Sequence, residues 1–253
     1  MFDVGLLESN LDYKKKFNKI VYCSSAQSTN NEVWSFYQKL PKKYLIITDN
    51  QTKGRGRGLN RWFSTRNKSI TCSFILNQIF PVEKFNFHSL VVPISIIRGV
   101  KKYLSLDLKI KWPNDIVYNG LKVGGVLIET KKYSGKHVFN VGIGINVNET
   151  LDDLRSDIKK NILSLKMISG HKIQREPLLA NILNELWNII NNYNTKKITA
   201  EWLKHCNHIN HNVLFKHNKQ KTEGLFKSIN NNGQAIIEFK NKPLSYDGAI
   251  EYL

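Results

Sequence analysis

The chain has 253 residues, of which 41% are hydrophobic, and it carries a formal net charge of +18 at pH 7. Such a chain can bury a full core, and its length fits one large domain with a small appendage. No stretch approaches the roughly 18 uninterrupted apolar residues of a membrane helix, and the acidic start lacks the order of a secretory signal. We therefore expect a soluble protein of the cytoplasm, neither membrane-spanning nor secreted.

The positive charge by itself would indicate nucleic acid or an acidic protein as a partner. Most of the basic residues are lysines, however, scattered through a sequence rich in Asn and Ile, and a coding bias explains that composition. Arginine is more informative, because four of the seven arginines lie between Arg55 and Arg66. This cluster indicates that the segment needs the planar guanidinium group with its several hydrogen-bond donors, which lysine does not provide.

Cysteine and histidine give no metal motif. Three cysteines lie far apart and form no cluster with metal-ligand spacing, so we predict reduced, mostly buried thiols. They are Cys23, Cys72 and Cys206. His205, His208 and His211 lie three residues apart, which allows metal ligands on one helix face. A solvated polar face at a helix end is favoured, because no carboxylate or cysteine partners them.

The first part of the chain alternates predicted strands and helices. Ser28, Thr29 and Asn30 offer a helix cap, and Pro41 ends the helix that follows. Pro93 lies inside a second helical pattern, where it kinks the helix or marks its first turn. The predicted elements are a strand at 19–23, a helix at 28–40, strands at 44–48 and 69–76, and a helix at 88–104.

A dense β region follows, in which Asn119-Gly120 is a two-residue hairpin signal. Strands are predicted at 109–112, 115–118, 121–130 and 137–147, then a polar mobile loop with short helical pieces at 148–161, and helices at 175–193 and 199–206. The pattern changes near residue 207. Short strands at 212–216, 222–229, 234–239 and 249–252 predict a small barrel of SH3 type.

The loop 50–61 combines glycines with Arg55, Arg57 and Arg61. Glycines let backbone N–H groups approach an anion, and guanidinium groups grip phosphate or carboxylate oxygens, so the loop suits a polyphosphate. The order of residues does not match a P-loop. The alternative, a disordered nucleic-acid tether, is disfavoured by the strands predicted on both sides.

A second group is Lys111-Trp112-Pro113-Asn114-Asp115 with Lys122 and Gly124-Gly125. A lysine across a tight hairpin from an Asn-Asp pair places an ammonium beside groups that bind a nucleotide or Mg²⁺. The alternative interpretation, a bulged hairpin with a solvated lysine, is about equally favoured by the spacing. In the strand from Val141, Gly142 and Gly144 share one face, which predicts a flat floor for a ring or, more commonly, close packing of another element.

The sequence contains neither a Gly-x-Ser-x-Gly motif nor the cysteine signature of a papain-like protease. The expected chemistry is therefore transfer between bound substrates, which depends on positioning and charge stabilisation.

These groups together resemble the biotin protein ligases in order and approximate spacing, over about residues 19–148. The matching blocks are Ser28-Thr29-Asn30, Gly54-Arg55-Gly56-Arg57, Arg61-Trp62-Phe63-Ser64, Lys111 to Asp115, Lys122, Gly124-Gly125 and Gly142 to Asn146. The resemblance implies an α+β catalytic domain with a mixed sheet flanked by helices, residues 1–206, and a C-terminal SH3-like β-barrel, residues 207–253. The pattern begins near residue 19, so we expect a monofunctional ligase without a helix-turn-helix domain.

The resemblance also implies a two-step reaction, in which biotin and ATP form biotinyl-5′-adenylate and a lysine of a carrier domain then takes the biotin. Lys122, Arg55 and Arg57 are the implied catalytic residues. The implied biotin contacts are Ser28, Thr29, Asn30, Gln51, Gly54, Trp62, Lys122, Gly125 and Gly144. The implied ATP contacts are Arg55, Gly56, Arg57, Lys111, Asn114, Asp115 and Asn146, with Mg²⁺ near Asp115.

The implied partner is the biotin carboxyl carrier domain of acetyl-CoA carboxylase or a related carboxylase, with no specific DNA and no membrane. Monomer and homodimer both stay open. The chain departs from the family beyond Arg57, where a glycine usually follows two residues after the position of Gly58. It also lacks any aromatic residue at 149–170 to stack on adenine, which leaves Ile162 or Leu163 for that role.

Two rival functions remain. A lipoate or octanoate ligase shares the fold and the adenylate chemistry, but its usual Arg-Arg-x-Ser-Gly-Gly-Gly signature is absent from the sequence. A nucleic-acid-binding module would use the basic C-terminal region, where Lys216, Lys219, Lys221 and Lys227 cluster. The same lysines would alternatively steer an acidic carrier domain towards the protein.

Overall fold

A seven-stranded mixed sheet lies at the centre of the protein in the computed structural model, which describes residues 1–12, 17–37, 39, 43–77, 79–81, 84–217 and 220–252. Its strands are β1 (Lys19–Cys23), β2 (Tyr44–Thr48), β3 (Ile70–Asn77), β4 (Lys109–Lys111), β5 (Asp115–Tyr118), β6 (Leu121–Tyr133) and β7 (Lys136–Ile145). They lie in the order β1-β2-β3-β7-β6-β5-β4. The pairing of β1 with β2 is parallel and the others are antiparallel, so the predicted mixed sheet is confirmed.

Helices cover both faces of this sheet. They are α1 (Val4–Ser9), α2 (Thr29–Phe36), α3 (Phe87–Leu104), α4 (Leu165–Ser169), α5 (Arg175–Asn191) and α6 (Thr195–His205). On β2, Tyr44 and Ile46 pack with Val33 of α2, whereas Leu45 and Ile47 belong to the larger core beneath α3 and α5. Because successive side chains of a strand point to opposite faces, a strand covered on both sides reads as an unbroken apolar run.

The helices follow the predicted pattern with shifted ends. Ser28 is the N-cap of α2, although its side chain makes no capping hydrogen bond. Leu40 and Pro41, where this helix was predicted to end, lie outside the described residues. Pro93 lies inside α3, which is assigned as one helix from Phe87 to Leu104. The polar stretch after β7 contains two short 3₁₀ turns, Leu151–Asp153 and Lys159–Asn161, as its predicted helical pieces.

The C-terminal part is a five-stranded antiparallel sheet instead of the predicted four strands. Its strands are β8 (Asn212–His217), β9 (Gln220–Ile229), β10 (Ala235–Phe239), β11 (Lys242–Tyr246) and β12 (Ile250–Tyr252), in the order β11-β10-β9-β8-β12. The strand that the sequence did not predict is β11, which contains Pro243 and lies at the edge of the sheet, where proline is tolerated. In the part of the chain that the structure describes, the outer strands β11 and β12 do not pair, so the observed element is an antiparallel sheet without closure.

The two sheets share one hydrophobic core, in which Trp202 of α6 is fully buried and Trp112 nearly so. The ring centroid of Trp112 lies 5.7 Å from that of Trp202 and 6.1 Å from that of Phe226 on β9. Burial of these rings is a large apolar contribution to stability. The segment after β4 is therefore held by the C-terminal part of the chain.

Two of the three clustered histidines are buried, so the predicted solvated face is wrong for them. His205 is 8% exposed and His208 is 0% exposed. His208 Nε2 accepts a hydrogen bond from the Trp112 N–H at 3.0 Å, and burial lowers the pKa of His208 to about 3. His208 is buried and not solvated, because it packs between Trp112 at the end of the central sheet and Phe226 of the C-terminal sheet. Among the described residues, no group of three or more His, Cys, Asp or Glu side chains is arranged to hold a metal.

The cysteines, the helix lengths and the basic cluster complete the comparison with the sequence-based expectations. Cys72 is buried, and Cys23 and Cys206 are partly buried. Within the ranges that the structure describes, no helix has the length and apolar content needed to cross a bilayer. Lys216, Lys221 and Lys227 of the basic cluster are exposed on β8 and β9, and Lys219 lies outside the described residues.

Candidate active site

A cavity of about 500 Å³ lies between the sheet, the start of α2 and the loop 54–62. All three sequence motifs contribute side chains or backbone to its wall. The predicted residues that line it are Ser28, Thr29, Asn30, Gln51, Arg55, Gly56, Arg57, Trp62, Asn114, Asp115, Lys122, Gly125 and Gly144. Gly54, Lys111 and Asn146 are not among its lining residues.

One corner of the cavity is a hydrogen-bonded polar group. Gln51 Oε1 accepts hydrogen bonds from the Thr29 N–H at 2.8 Å and from Thr29 Oγ1 at 3.1 Å. Because both lone pairs of this oxygen are used, the amide presents its Nε2 donors to a ligand. Ser73 Oγ lies 2.6 Å from Thr29 Oγ1 and 2.7 Å from Asn30 Oδ1, which fixes both side chains from below.

The floor of the cavity explains the paired glycines of β7. A Cβ atom on Gly142 would lie 2.1 Å from Asn30 Oδ1, and one on Gly144 would lie 2.5 Å from the ring of Trp62. Glycine is therefore required at both positions by close approach of another side chain. This is the packing alternative given for the motif, and it places Trp62 on the floor.

The loop 54–62 has a defined conformation. The Gly56 N–H donates to the Asn60 carbonyl at 2.8 Å, and the Trp62 N–H donates to the Gly54 carbonyl at 3.1 Å. A Cβ on Gly54 would lie 2.3 Å from the Trp62 carbonyl oxygen, so Gly54 is needed for this closure. At the tip, Gly58 has a φ of +63°. The loop is thus an ordered part of the cavity wall and not a disordered tether.

Each of the first two loop arginines is held by an acceptor from elsewhere in the chain. Arg55 donates from Nη1 to Asn31 Oδ1 at 2.8 Å and from Nη2 to Glu129 Oε1 at 2.7 Å. Arg57 donates from Nη2 to the main-chain carbonyl of Asp247 at 2.7 Å. A guanidinium has five N–H donors, so both keep donors for an anion in the cavity.

The hairpin formed by β5 and β6 presents Lys122 beside Asp115. Lys122 Nζ lies 2.6 Å from Asp115 Oδ1, and the lysine side chain is 37% exposed. The ladder has a bulge between Ile116 and Val117. The bulged hairpin and the paired lysine, which the sequence left as alternatives, therefore occur together. The ammonium is fixed at the cavity wall.

Two asparagines of the motifs act on the backbone. Asn114 donates through Nδ2 to the carbonyl of Val126, whose N–H donates back to the Asn114 carbonyl at 3.0 Å. Asn146 is buried and donates through Nδ2 to the Leu163 carbonyl at 3.2 Å. The Leu163 N–H donates in turn to the Lys122 carbonyl at 2.9 Å, so this segment lies next to the lysine.

Sequence reasoning missed three contributors, namely Ser73, Glu129 and the turn at 247–249. Glu129 accepts hydrogen bonds from Asn30 Nδ2 at 3.0 Å and Trp34 Nε1 at 3.2 Å, besides that from Arg55. It lies on the same face of β6 as Gly125, four residues earlier, so strand periodicity was a signal for it. Asp247-Gly248 carried only a turn signal, which says nothing about the cavity.

Comparison with known families decides the relationship. The model of the biotin/lipoate A/B protein ligase family matches residues 21–148, which is half of the chain and includes all the motifs above. The chain belongs to this family.

Curated relatives carry biotin ligase names. The chain is 35% identical over 161 residues to the bifunctional ligase/repressor BirA of Bacillus spizizenii, covering 63% of this chain and 49% of that protein. It is 27% identical over 198 residues to the biotin–protein ligase of Homo sapiens, covering 72% of this chain and 26% of the human protein. The chain thus spans about half the length of the first of these relatives.

Solved structures share the fold over nearly the whole chain. A biotin protein ligase from Aquifex aeolicus, solved in complex with biotin and ATP, superposes with a TM-score of 0.81 at 23% identity, covering 94% of this chain and 100% of that one. A biotin protein ligase from Leishmania major in complex with biotinyl-5-AMP superposes with a TM-score of 0.66 at 20% identity, covering 93% of this chain and 98% of that one. At this coverage, the likeness must include residues of the C-terminal sheet as well as of the mixed sheet.

Proposed function

We propose that this protein is an ATP-dependent biotin protein ligase. It forms biotinyl-5′-adenylate from biotin and ATP and then transfers the biotin to a lysine of a biotin carboxyl carrier domain. The observation that carries the proposal is that one cavity joins a polar corner, the Trp62 ring on its floor and four cationic side chains, namely Arg55, Arg57, Arg61 and Lys122. Family membership and the names of the relatives support it.

Biotin fits the half of the cavity formed by the polar corner and Trp62. Its ureido group would meet the hydroxyls of Ser28 and Thr29 and the Nε2 donors of Gln51, with Asn30 beside them. The apolar part of biotin would lie along Trp62 and the backbone at Gly125 and Gly144. A small number of placed polar groups in a mostly apolar wall is the usual form of such a site. Gly54 would act through the backbone that carries Trp62.

ATP fits the other half, between the loop and the β5–β6 hairpin. Gly56, Arg55 and Arg57 would contact the phosphates, and Asn114 and Asp115 would lie along the nucleotide. Lys111 and Asn146 are assigned to the nucleotide by the family pattern and would act from behind the wall. Ile162 or Leu163, adjacent to Lys122, would pack on the adenine where other members place an aromatic ring.

In the first step, a carboxylate oxygen of biotin attacks the α-phosphorus, the bond to the bridging oxygen breaks, and pyrophosphate leaves. The step brings two anions together, so fixed cations must offset the repulsion. Lys122 would neutralise the charge that develops on the carboxylate and α-phosphate, and Arg55 and Arg57 would orient the phosphates. In the second step, an uncharged lysine amine attacks the anhydride carbonyl, and AMP leaves as the amide forms and the amine loses a proton.

A Mg²⁺ ion in the same half of the cavity would have one protein carboxylate, that of Asp115, as a ligand. Asp115 lines the cavity, and no group of three or more ligating side chains occurs among the described residues. Mg²⁺ is commonly bound by one or two carboxylates together with substrate phosphates. We propose that Asp115 holds the ion with the phosphates, where it would offset their charge.

The finer organisation belongs to the same proposal. Residues 1–206 would form the catalytic unit and residues 207–253 a small SH3-like barrel. Exposed lysines on β8 and β9 would steer an acidic carrier domain towards the cavity. Binding of DNA or RNA that weakens steeply with salt, without ligand-dependent pyrophosphate exchange, would support the rival nucleic-acid function.

The deciding experiment is ATP–pyrophosphate exchange with biotin, with lipoate and with neither acid. We expect exchange with biotin only. The lipoate arm matters because the family model covers both biotin and lipoate ligases. Exchange driven by lipoate alone would refute the substrate assignment.

Lys122→Ala tests the catalytic assignment in the same assay. We expect a folded protein whose exchange rate falls on the order of 100-fold, since one preorganised charge donor is worth roughly 3 kcal/mol in the transition state. Lys132→Ala, which removes an exposed lysine from the same strand, is the matched control. An unchanged rate in Lys122→Ala would remove Lys122 from the active site.

A further inference from the structure

The turn at 247–249, between β11 and β12, reaches two of the cavity motifs from the C-terminal sheet. The Asp247 carbonyl accepts from Arg57 Nη2 at 2.7 Å, and the Gly248 carbonyl accepts from Trp112 Nε1 at 2.8 Å. Ala249 lines the cavity itself. Three successive residues of one turn therefore contact the loop 54–62, called the phosphate loop below, the Trp112 side chain and the cavity.

The side chain of Asp247 fixes this turn. Its Oδ1 accepts from Asn86 Nδ2 at 3.1 Å, and its Oδ2 accepts from Gln234 Nε2 at 2.7 Å. Asn86 precedes α3, and Gln234 precedes β10, so the carboxylate joins both parts of the chain. With each oxygen held, the main-chain carbonyl of the same residue points at Arg57 in a defined direction.

We propose that Asp247 is a positioning residue for Arg57, through which the C-terminal sheet controls how the phosphate loop receives ATP; this rests on the proposed function. The carbonyl uses one of the five guanidinium donors and leaves the others for phosphate oxygens. Arg57 is exposed and long, so an unheld side chain would lose conformational entropy when ATP binds. A held side chain has already lost that entropy, which favours binding.

The structural half of the proposal is tested in the ligand-free protein by hydrogen exchange of the amides at 55–61. Asp247→Ala removes both side-chain hydrogen bonds of the turn, and we expect exchange in the loop to rise roughly threefold to tenfold, as for one lost hydrogen bond. Glu251→Ala is the matched control, because it also removes a carboxylate from the C-terminal sheet. Among the described residues, that carboxylate forms an ion pair with exposed Lys221 and with no other side chain. Unchanged exchange in Asp247→Ala overturns the proposal, whatever the enzyme assay shows.

The functional half uses ATP–pyrophosphate exchange. In Asp247→Ala we expect the KM for ATP to rise roughly threefold to tenfold while the KM for biotin stays as in the parent protein. Asp247→Ala should add nothing further when Arg57→Ala is already present, because both changes act on one contact. Additive losses, or equal rises in both KM values, overturn it.

Two further variants guard against misfolding. If Asp247→Ala does not fold, Asn86→Ala and Gln234→Ala each remove one of the two hydrogen bonds and should each raise loop exchange by a smaller factor. If neither raises it, the proposal is wrong. If the parent protein shows no biotin-dependent exchange, the proposed function fails, and the hydrogen-exchange comparison still decides the positioning role.

Discussion

Among single residues, Glu129 connects several polar side chains beside the cavity. Its carboxylate accepts hydrogen bonds from Asn30, Trp34 and Arg55, and its side chain is 22% exposed. Through Asn30 it contacts the half of the cavity that we propose for biotin, and through Arg55 the half that we propose for the phosphates. A carboxylate suits this place because it only accepts hydrogen bonds.

Glu129→Gln should weaken both halves of the site. A carboxamide has one acceptor oxygen, so its amino group would face a donor, and Arg55 would lose its counter-charge. We expect a loss of roughly 1–3 kcal/mol in the free energy of unfolding and about a tenfold slower adenylation. Urea denaturation measures the loss of stability and pyrophosphate exchange measures the rate of adenylation. Glu223→Gln, at an exposed glutamate on β9, is the control. Parent-like rates would show that Arg55 needs no anchor.

Sequence reasoning reached most of the cavity wall at this scale because the relevant residues form short local groups. The Gly-Arg loop, Asn114-Asp115 and Lys122 each stand within a few residues of a strand end or hairpin signal. Glu129 lies 74 residues from Arg55 in the chain. No local spacing reports such a pair, because only the register of β6 and the path of the loop bring them together.

At the scale of elements, β7 is the strand that shapes the floor. Its burial is nearly complete, and Gly142 and Gly144 face α2 and the loop on the same side. The alternation of glycine with β-branched residues gives packing on one face and a bare backbone on the other. The strand therefore supports both Asn30 and Trp62.

Gly144→Ala tests this arrangement. The new methyl would lie 2.5 Å from the Trp62 ring, so the ring must leave the floor. We expect a stability loss of roughly 1–3 kcal/mol from overpacking and about a tenfold weaker affinity for biotin. Calorimetric titration with biotin measures the second effect. Gly5→Ala in α1 is the control, because its methyl would meet only Asp3 at 3.4 Å. Unchanged biotin affinity would separate Trp62 from the biotin site.

Element prediction failed where tertiary position overrides local preference. The strand β11 was missed because Lys242, Pro243 and Ser245 give it a weak pattern, and only its place at the sheet edge permits it. Helix α6 begins at Thr195, capped by the Asn194 side chain, four residues before the predicted start. Boundaries of this kind depend on single capping contacts.

For the whole molecule, two buried histidines couple folding to pH. Burial lowers the pKa of His88 to about 4 and that of His208 to about 3. Both stay uncharged in the folded protein while their unfolded forms gain protons below about pH 6.5. The unfolded state thus binds more protons between these values, so stability falls as the pH falls.

We expect each of these histidines to lower the free energy of unfolding by roughly 2 kcal/mol when the pH falls from 7 to 5. His208→Gln should remove its share of this slope, while the glutamine oxygen still accepts from the Trp112 N–H. Urea denaturation at several pH values measures it, with exposed His171→Gln as the control. Burial raises the pKa of Glu149, so this residue makes stability rise as the pH falls. The quantity to compare is therefore the difference in slope between the variant and the parent protein. Equal slopes in His208→Gln and the parent would contradict the prediction.

The sequence by itself determined the family, the mixed sheet flanked by helices and most of the cavity wall. It could do so because glycine, arginine and hairpin signals act over a few residues, and because strand and helix periodicity mark buried faces. Only the tertiary structure decided how these groups are held. Arg57 and Asp247 lie 190 residues apart, and Trp112 meets His208 and Gly248 across two sheets. Such contacts follow from how the sheets pack against each other, and that packing depends on the whole core.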